Sequence, residues 1–291
     1  MKKLLSALLC ATSIVFVGCN EKDTNAPAAT DVIEGNSSSS SESSSIEALK
    51  GVFSVSATKQ VKFAKGNLQC KPSEKKWRFA LNQYDIVGSN NTKASMSYSG
   101  WIDLFGWSTS ASYYGVFYSE KETDYKGDFV DWGKAVGEGW FTLSVDEWRY
   151  LMEKRPNAAT LYGIAFVANI MNGLVFLPDN WSMPEGLTFV SGKMESDKVP
   201  VPNKYTMEEW SAMEKAGAVF LPAAGMLEFD DSEEVEDVNY MGSYWTSTLY
   251  SDVAANYFVC EGGKDLGVDY ESRASGMSVR LVMDAKQINS K

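Results

Sequence analysis

Gly242-Ser243-Tyr244-Trp245-Thr246-Ser247-Thr248, followed by Gly276 and Ser278-Val279-Arg280-Leu281-Val282, decides the fold of this 291-residue chain. Around the second stretch, Met277, Val279, Leu281 and Met283 alternate with Ser278, Arg280 and Val282. A period of two sends successive side chains to opposite faces, so the spacing predicts a strand with one face in a core. Residues 244–248 and 256–260 read as further strands, with Gly262-Gly263 as a turn. The last third is β in character.

Working back toward the N-terminus, helical signals appear. Ser144 with Glu147 makes a capping box, with Trp148, Leu151 and Met152 following on one face. Thr206 with Glu209 makes another, followed by Trp210, Met213 and Ala216, and Gly217 stands as the stop. Each helix is followed by the same tetrapeptide, at residues 175–178 and 219–222, which suggests two similar helix-to-strand devices in one fold. Between them, residues 164–170 and 174–177 flank Asn172-Gly173, a two-residue hairpin signal. Short strands are expected at 52–57, 60–63 and 77–81, with turns at Gly66-Asn67 and Lys71-Pro72-Ser73. Residues 88–139, rich in Gly, Ser, Tyr and Trp, have neither period and read as long loops pinned by aromatic side chains. The class that follows is α+β, with short antiparallel strands, two helices and long aromatic-rich loops.

The first residues carry a different message. Lys2 and Lys3 precede a 14-residue, mainly apolar stretch at 4–17. It is shorter than the ~20 residues needed to span a bilayer, so residues 1–18 read as a signal peptide. Phe16-Val17-Gly18-Cys19 resembles the lipobox of bacterial lipoproteins, which implies cleavage before Cys19 and acylation of its thiol. Acyl chains contribute ~0.8 kcal/mol per buried CH2, so the partner implied for Cys19 is the membrane. Residues 19–48 then form a tether with serines at 37–41 and 43–45, too polar to offset chain entropy and hence expected to be disordered. Glu21 and Asp23 resemble the surface-export signal of Bacteroidetes lipoproteins, so an outer-membrane location facing the exterior is expected. Residues 49–285 form the domain and 286–291 a tail.

Composition narrows the chemistry. Loss of Lys2 and Lys3 with the acid-free signal takes the formal charge from −11 to −13, which disfavours nucleic acid as a partner. The chain has no histidine, excluding Ser-His-Asp triads, Cys-His pairs and His-ligated zinc within it. Beyond Cys10 and Cys19, only Cys70 and Cys260 remain, either as a disulfide or as two buried thiols.

The opening stretch, with Arg273 added, resembles the C-terminal signature of C-type-lectin-like domains. The closer likeness is to a branch in Bacteroidetes and Fibrobacter surface lipoproteins (the Fibrobacter major paralogous domain type). That branch is related to the formylglycine-generating sulfatase-modifying fold and to variable proteins diversified by retroelements. Leu177-Pro178-Asp179, Leu221-Pro222-Ala223-Ala224-Gly225 and Gly66-Asn67-Leu68-Gln69 share the likeness, which covers most of residues 50–283. It implies a compact fold in which the first and last strands pair and long loops form one ligand-binding face. The Glu-Pro-Asn and Trp-Asn-Asp motifs of calcium-dependent lectins are absent, as are the paired C-terminal cysteines of the formylglycine branch.

The resemblance nominates Tyr244, Tyr250, Asn256, Asp269, Tyr270 and Arg273 as ligand contacts for a protein or glycan. Tyr257, Trp245 and Arg280 read as structural. Trp101, Trp107, Tyr113, Tyr114, Phe117 and Tyr118 either stack on sugars or pin a loop. The acidic run Asp230, Asp231, Glu233, Glu234, Glu236 and Asp237 lacks the Asp-x-Asp-x-Asp-Gly order, and such runs are usually solvated. No cofactor is expected, with calcium at Asp230, Asp231 and Glu233 the one metal alternative. Two further readings stand beside a displayed binder. One is a carbohydrate-active or sulfatase-associated enzyme, needing carboxylates ~5–9.5 Å apart. The other is a structural component of a surface assembly.

Overall fold

The computed structural model describes residues 47–116, 125–193, 201–229, 234–261 and 265–286. All of them lie in one contact unit, residues 43–291. The first strands are β1 (Phe53–Ser54), β2 (Gln60–Phe63), β3 (Leu68–Lys71) and β4 (Lys76–Phe79). A loop region follows, containing the single turn α1 (Gly133–Val136) and ending in β5 (Trp140–Phe141). Next come α2 (Val145–Arg149), β6 (Tyr162–Val167), β7 (Met171–Phe176) and β8 (Asn203–Tyr205). The chain continues through α3 (Met207–Ala216) and β9 (Val219–Pro222). It closes with β10 (Met241–Leu249), β11 (Ala254–Glu261), β12 (Asp265–Ser272) and β13 (Val282–Asp284). The class is α+β.

β13 sits between β2 and β5, pairing Phe63 with Val282 on one side and Phe141 with Val282 on the other. The last strand therefore pairs with the second strand and not with the first as expected, because β1 lies on the outer edge of the sheet and β2 stands between them. β10, β11 and β12 form an antiparallel meander that divides the core. Ala255, Tyr257 and Val259 of β11 face a cluster with Phe105, Trp107, Trp132 and Met277. Phe258 and Cys260, on the other face, join Phe63, Trp148, Phe176 and Val219. A strand buried on both sides carries an apolar residue at almost every position, which is why β11 shows no polar alternation.

Both capping boxes form. The Glu147 and Glu209 amides donate to Ser144 Oγ and Thr206 Oγ1, and their carboxylates accept from the Ser144 and Thr206 amides. Such a cap contributes ~1 kcal/mol. α2 runs on as a π-helical turn, Tyr150–Lys154, and lays Trp148 flat on Phe258 with ring centroids 4.4 Å apart. Gly217 ends α3 at φ 109°, as its position predicts. The two identical tetrapeptides meet: Val175 pairs with Phe220 and Phe176 with Val219 between β7 and β9. The aromatic loops are pinned as expected. Trp107 Nε1 donates to Thr246 O at 2.9 Å, Trp132 Nε1 to Tyr114 O at 2.7 Å, and Trp245 Nε1 to Phe105 O at 2.6 Å.

Several expectations are corrected. The β6–β7 hairpin exists, but its turn is Ala168-Asn169, both at positive φ, and not Asn172-Gly173. Asn172 and Gly173 lie inside β7 because β9 packs so close that any Cβ on Gly173 would strike Leu221 O. Residues 277–282 are buried on both faces, and Met277 and Ser278 form isolated bridges to Phe105 and Tyr244 in place of a ladder. The strands β3, β5, β8 and β12 are not among those expected. Of the two alternatives for Cys70 and Cys260, the structure has the buried free thiols, in different core clusters, and not the disulfide. Burial pushes both up to about 12, leaving them protonated.

Candidate functional site

Of the six nominated contacts, two are framework. Tyr244 is fully buried, and its hydroxyl donates to Pro222 O at 2.7 Å. Burial raises its phenol far above the ordinary range. It belongs to a polar network beneath the meander. Arg280, also buried, donates to Asn67 Oδ1, Gln83 Oε1 and Phe220 O at 3.2, 2.9 and 2.6 Å. Burial pulls its guanidinium down to about 10. Its reading as a structural arginine holds, although its partners are two side-chain amide oxygens and a carbonyl of β9 in place of loop carbonyls.

Arg273 is likewise internal, only 3% exposed. It donates to the carbonyls of Tyr125, Gly127 and Ser251 and lies 4.8 Å from the centre of the Trp107 ring. Bonds to three carbonyls from two chain segments make it a clamp on loops, with no face left for a ligand. The nomination of Tyr244 and Arg273 as ligand contacts fails for one reason. A Tyr or Arg in a turn-rich stretch has the right chemistry for recognition, but the same donors satisfy buried carbonyls equally well.

Tyr250 and Tyr270 fare differently. They are 54% and 51% exposed, and their rings stack in parallel, with centroids 3.8 Å apart and planes at 3°. Tyr270 belongs to β12 and pairs across the meander with Asn256. Asn256 is half-buried, its Nδ2 donating to Thr248 O at 3.3 Å. Paired residues share a face, so Tyr250, Asn256 and Tyr270 converge at one end of the sheet. Asp269, next along β12, pairs with Tyr257 and points to the other face. Tyr257 itself is core, as read from the sequence.

Leu249, the last residue of β10, and Val253, on the β10–β11 connection, lie near Tyr250 in the chain and are 47% and 42% exposed. Neither was nominated, although apolar residues in a polar turn were signal enough. The surroundings are acidic, with Asp252, Asp269 and Glu271 nearby. The Tyr270 phenol is held above its ordinary range, first by the Tyr250 hydroxyl beside it and then by Asp269 and Glu271. The Tyr270 ring is therefore a neutral hydroxyl-bearing surface near pH 7.

The calcium alternative at Asp230, Asp231 and Glu233 falls outside the described residues, as do Cys19, Phe117 and Tyr118. Among the described residues no cluster of three or more Cys, Asp or Glu side chains is placed to hold a metal. Trp101 packs against Arg78, 3.7 Å from ring centre to guanidinium, and Trp107 is buried. Of the aromatic loop residues, Tyr113 and Tyr114 alone are brought to an open cleft among the described residues.

In comparisons with known proteins, no family model, no curated protein and no solved structure matches this chain.

Proposed function

We propose that this chain is a lipoprotein acylated at Cys19 and displayed outward from an outer membrane on its serine-rich tether. Its domain is read as C-type-lectin-like and non-catalytic, binding a protein or glycan through the Tyr250–Tyr270 patch. The observation that carries this reading is the stacked, half-exposed tyrosine pair on a rigid meander. Tyrosine gives a large amphipathic contact area with two torsions to order, and stacking has already restricted both. The acidic rim suits a neutral or cationic ligand. The pairing of the last strand with β2, near the start of the domain, supports the lectin-like reading, a likeness carried by the quoted residues.

The test uses the full-length protein, extracted from membranes in detergent, on a glycan array and in a surface-proteome pull-down. Tyr250→Ser with Tyr270→Ser should weaken the selected interaction about 100-fold. The melting temperature should barely change, since both rings lie at the surface. Binding that survives the double substitution assigns the site elsewhere. Separately, Cys19→Ala should remove the protein from the outer-membrane fraction, and unchanged fractionation would refute the anchor.

A further inference from the structure

The hairpin β3–β4 reverses the chain's charge. Residues 68–79 carry Lys71, Lys75, Lys76 and Arg78 against the single acid Glu74, a net +3 in a chain of net −11. Two of these cations are already engaged: Lys71 pairs with Glu74, and Arg78 donates to Gln69 Oε1 while covering Trp101. Lys75 is fixed differently. It sits at φ 50°, its amide donating to Pro72 O, and its exposed ammonium has no partner among the described residues.

Beside it opens a cleft of about 330 Å3, walled among the described residues by Pro72, Lys75, Trp77, Met96, Tyr113 and Tyr114. Trp77 is half-buried. Its indole stacks on Phe105 at 5.7 Å and meets Tyr114 in a T-shaped contact at 5.7 Å and 81°, so the ring is held from two sides. The backbone of Tyr114 is equally constrained, at φ 48°, followed by Gly115 at φ 71°, where a Cβ would strike Gly106 O. A left-handed tyrosine costs of order 1 kcal/mol and persists only where the surroundings enforce it.

We infer that this cleft binds an anionic saccharide, a sugar bearing a carboxylate or sulfate. A fixed aromatic face meets the apolar face of a pyranose ring, and the Ser112 hydroxyl at the rim offers a polar partner for ring hydroxyls. Lys75 supplies the charge-assisted contact to the anionic substituent, and the net +3 of the hairpin gives the local field its sign. The chain is acidic overall and repels polyanions, so the local positive charge of this hairpin favours their approach here. The cleft shares no residue with the tyrosine patch, so either site can fail without the other.

The experiment is calorimetric titration of the full-length protein in detergent with four probes. These are a galacturonic acid oligomer, a sulfated galactose oligomer, a neutral galactose oligomer and an Asp-rich peptide. Expected is binding of at least one charged sugar about tenfold tighter than the neutral one. Lys75→Gln should abolish that preference while leaving the melting temperature unchanged, because its side chain is exposed. Trp77→Leu should remove sugar binding altogether. If Trp77→Leu does not fold, Lys75→Gln decides alone. The proposal is overturned if charged and neutral sugars bind alike or not at all. It is equally overturned if the Asp-rich peptide matches the best sugar, or if the charge preference survives Lys75→Gln.

Discussion

Asp103 shows how far one buried side chain can steer the stability of this domain. It is 1% exposed, and its carboxylate accepts from the Val87 amide at 2.8 Å and Asn91 Nδ2 at 2.9 Å. Those bonds favour the charged form, yet desolvation outweighs them and raises its pKa to about 6. The unfolded chain releases this proton near pH 4. Between about pH 4 and pH 6 the native state thus holds more protons than the unfolded state, and its stability falls as pH rises through that window. Above pH 6 the contribution is level. Asp103→Asn has no proton to lose. In urea unfolding, wild type should therefore be favoured over the variant by about 2 kcal/mol more at pH 4 than at pH 7. A pH-independent difference would show that Asp103 is not desolvated as described. Arg280 illustrates the same principle with the opposite charge, since a buried cation bonded to carbonyls is lowered toward neutrality.

At the level of elements, the β6–β7 hairpin makes the sharpest prediction. Two registers compete for it: a turn at Asn172-Gly173, or one at Ala168-Asn169. Asn169 is exposed at φ 57°, a conformation glycine adopts freely, so Asn169→Gly should change stability by no more than about 0.5 kcal/mol. Gly173 lies in β7 opposite Pro222, so Gly173→Ala must push β9 away and should cost about 2 kcal/mol. The reverse ranking in paired thermal melts would restore the Asn-Gly turn. The Asn-Gly reading misplaced the turn because it is a local rule, whereas the glycine answers a non-local need, the close approach of β9. The helices were legible for the converse reason. Ser144 with Glu147 and Thr206 with Glu209 satisfy their own amides within four residues, whatever the rest of the fold does. Candidate contacts divide along the same line. Tyr250 and Tyr270 keep the recognition chemistry their residue types suggest. Tyr244 and Arg273 lose it to distant backbone carbonyls that no local pattern announces.

For the molecule as a whole, closure depends on the shortest of the late strands. β13 spans three residues, yet it is the centre of the β1–β2–β13–β5 sheet. Val282 is fully buried and pairs on both sides, Leu281 O accepts from the Ala64 amide, and the Ala285 amide donates to Gln60 O. Without residues 282–286, β2 and β5 would each present an unpaired edge, and the second core cluster would open beside Phe63. Buried backbone groups left without partners are costly, so this loss should exceed what the remaining sheet can absorb. A chain ending at Leu281 should therefore lack a cooperative melt in circular dichroism. A chain ending at Lys286 keeps every hydrogen bond described for β13 and should melt as the full-length protein does. If the chain ending at Leu281 melts cooperatively near the full-length temperature, the pairing of β13 with β2 and β5 is an accessory to this fold and not its closing step.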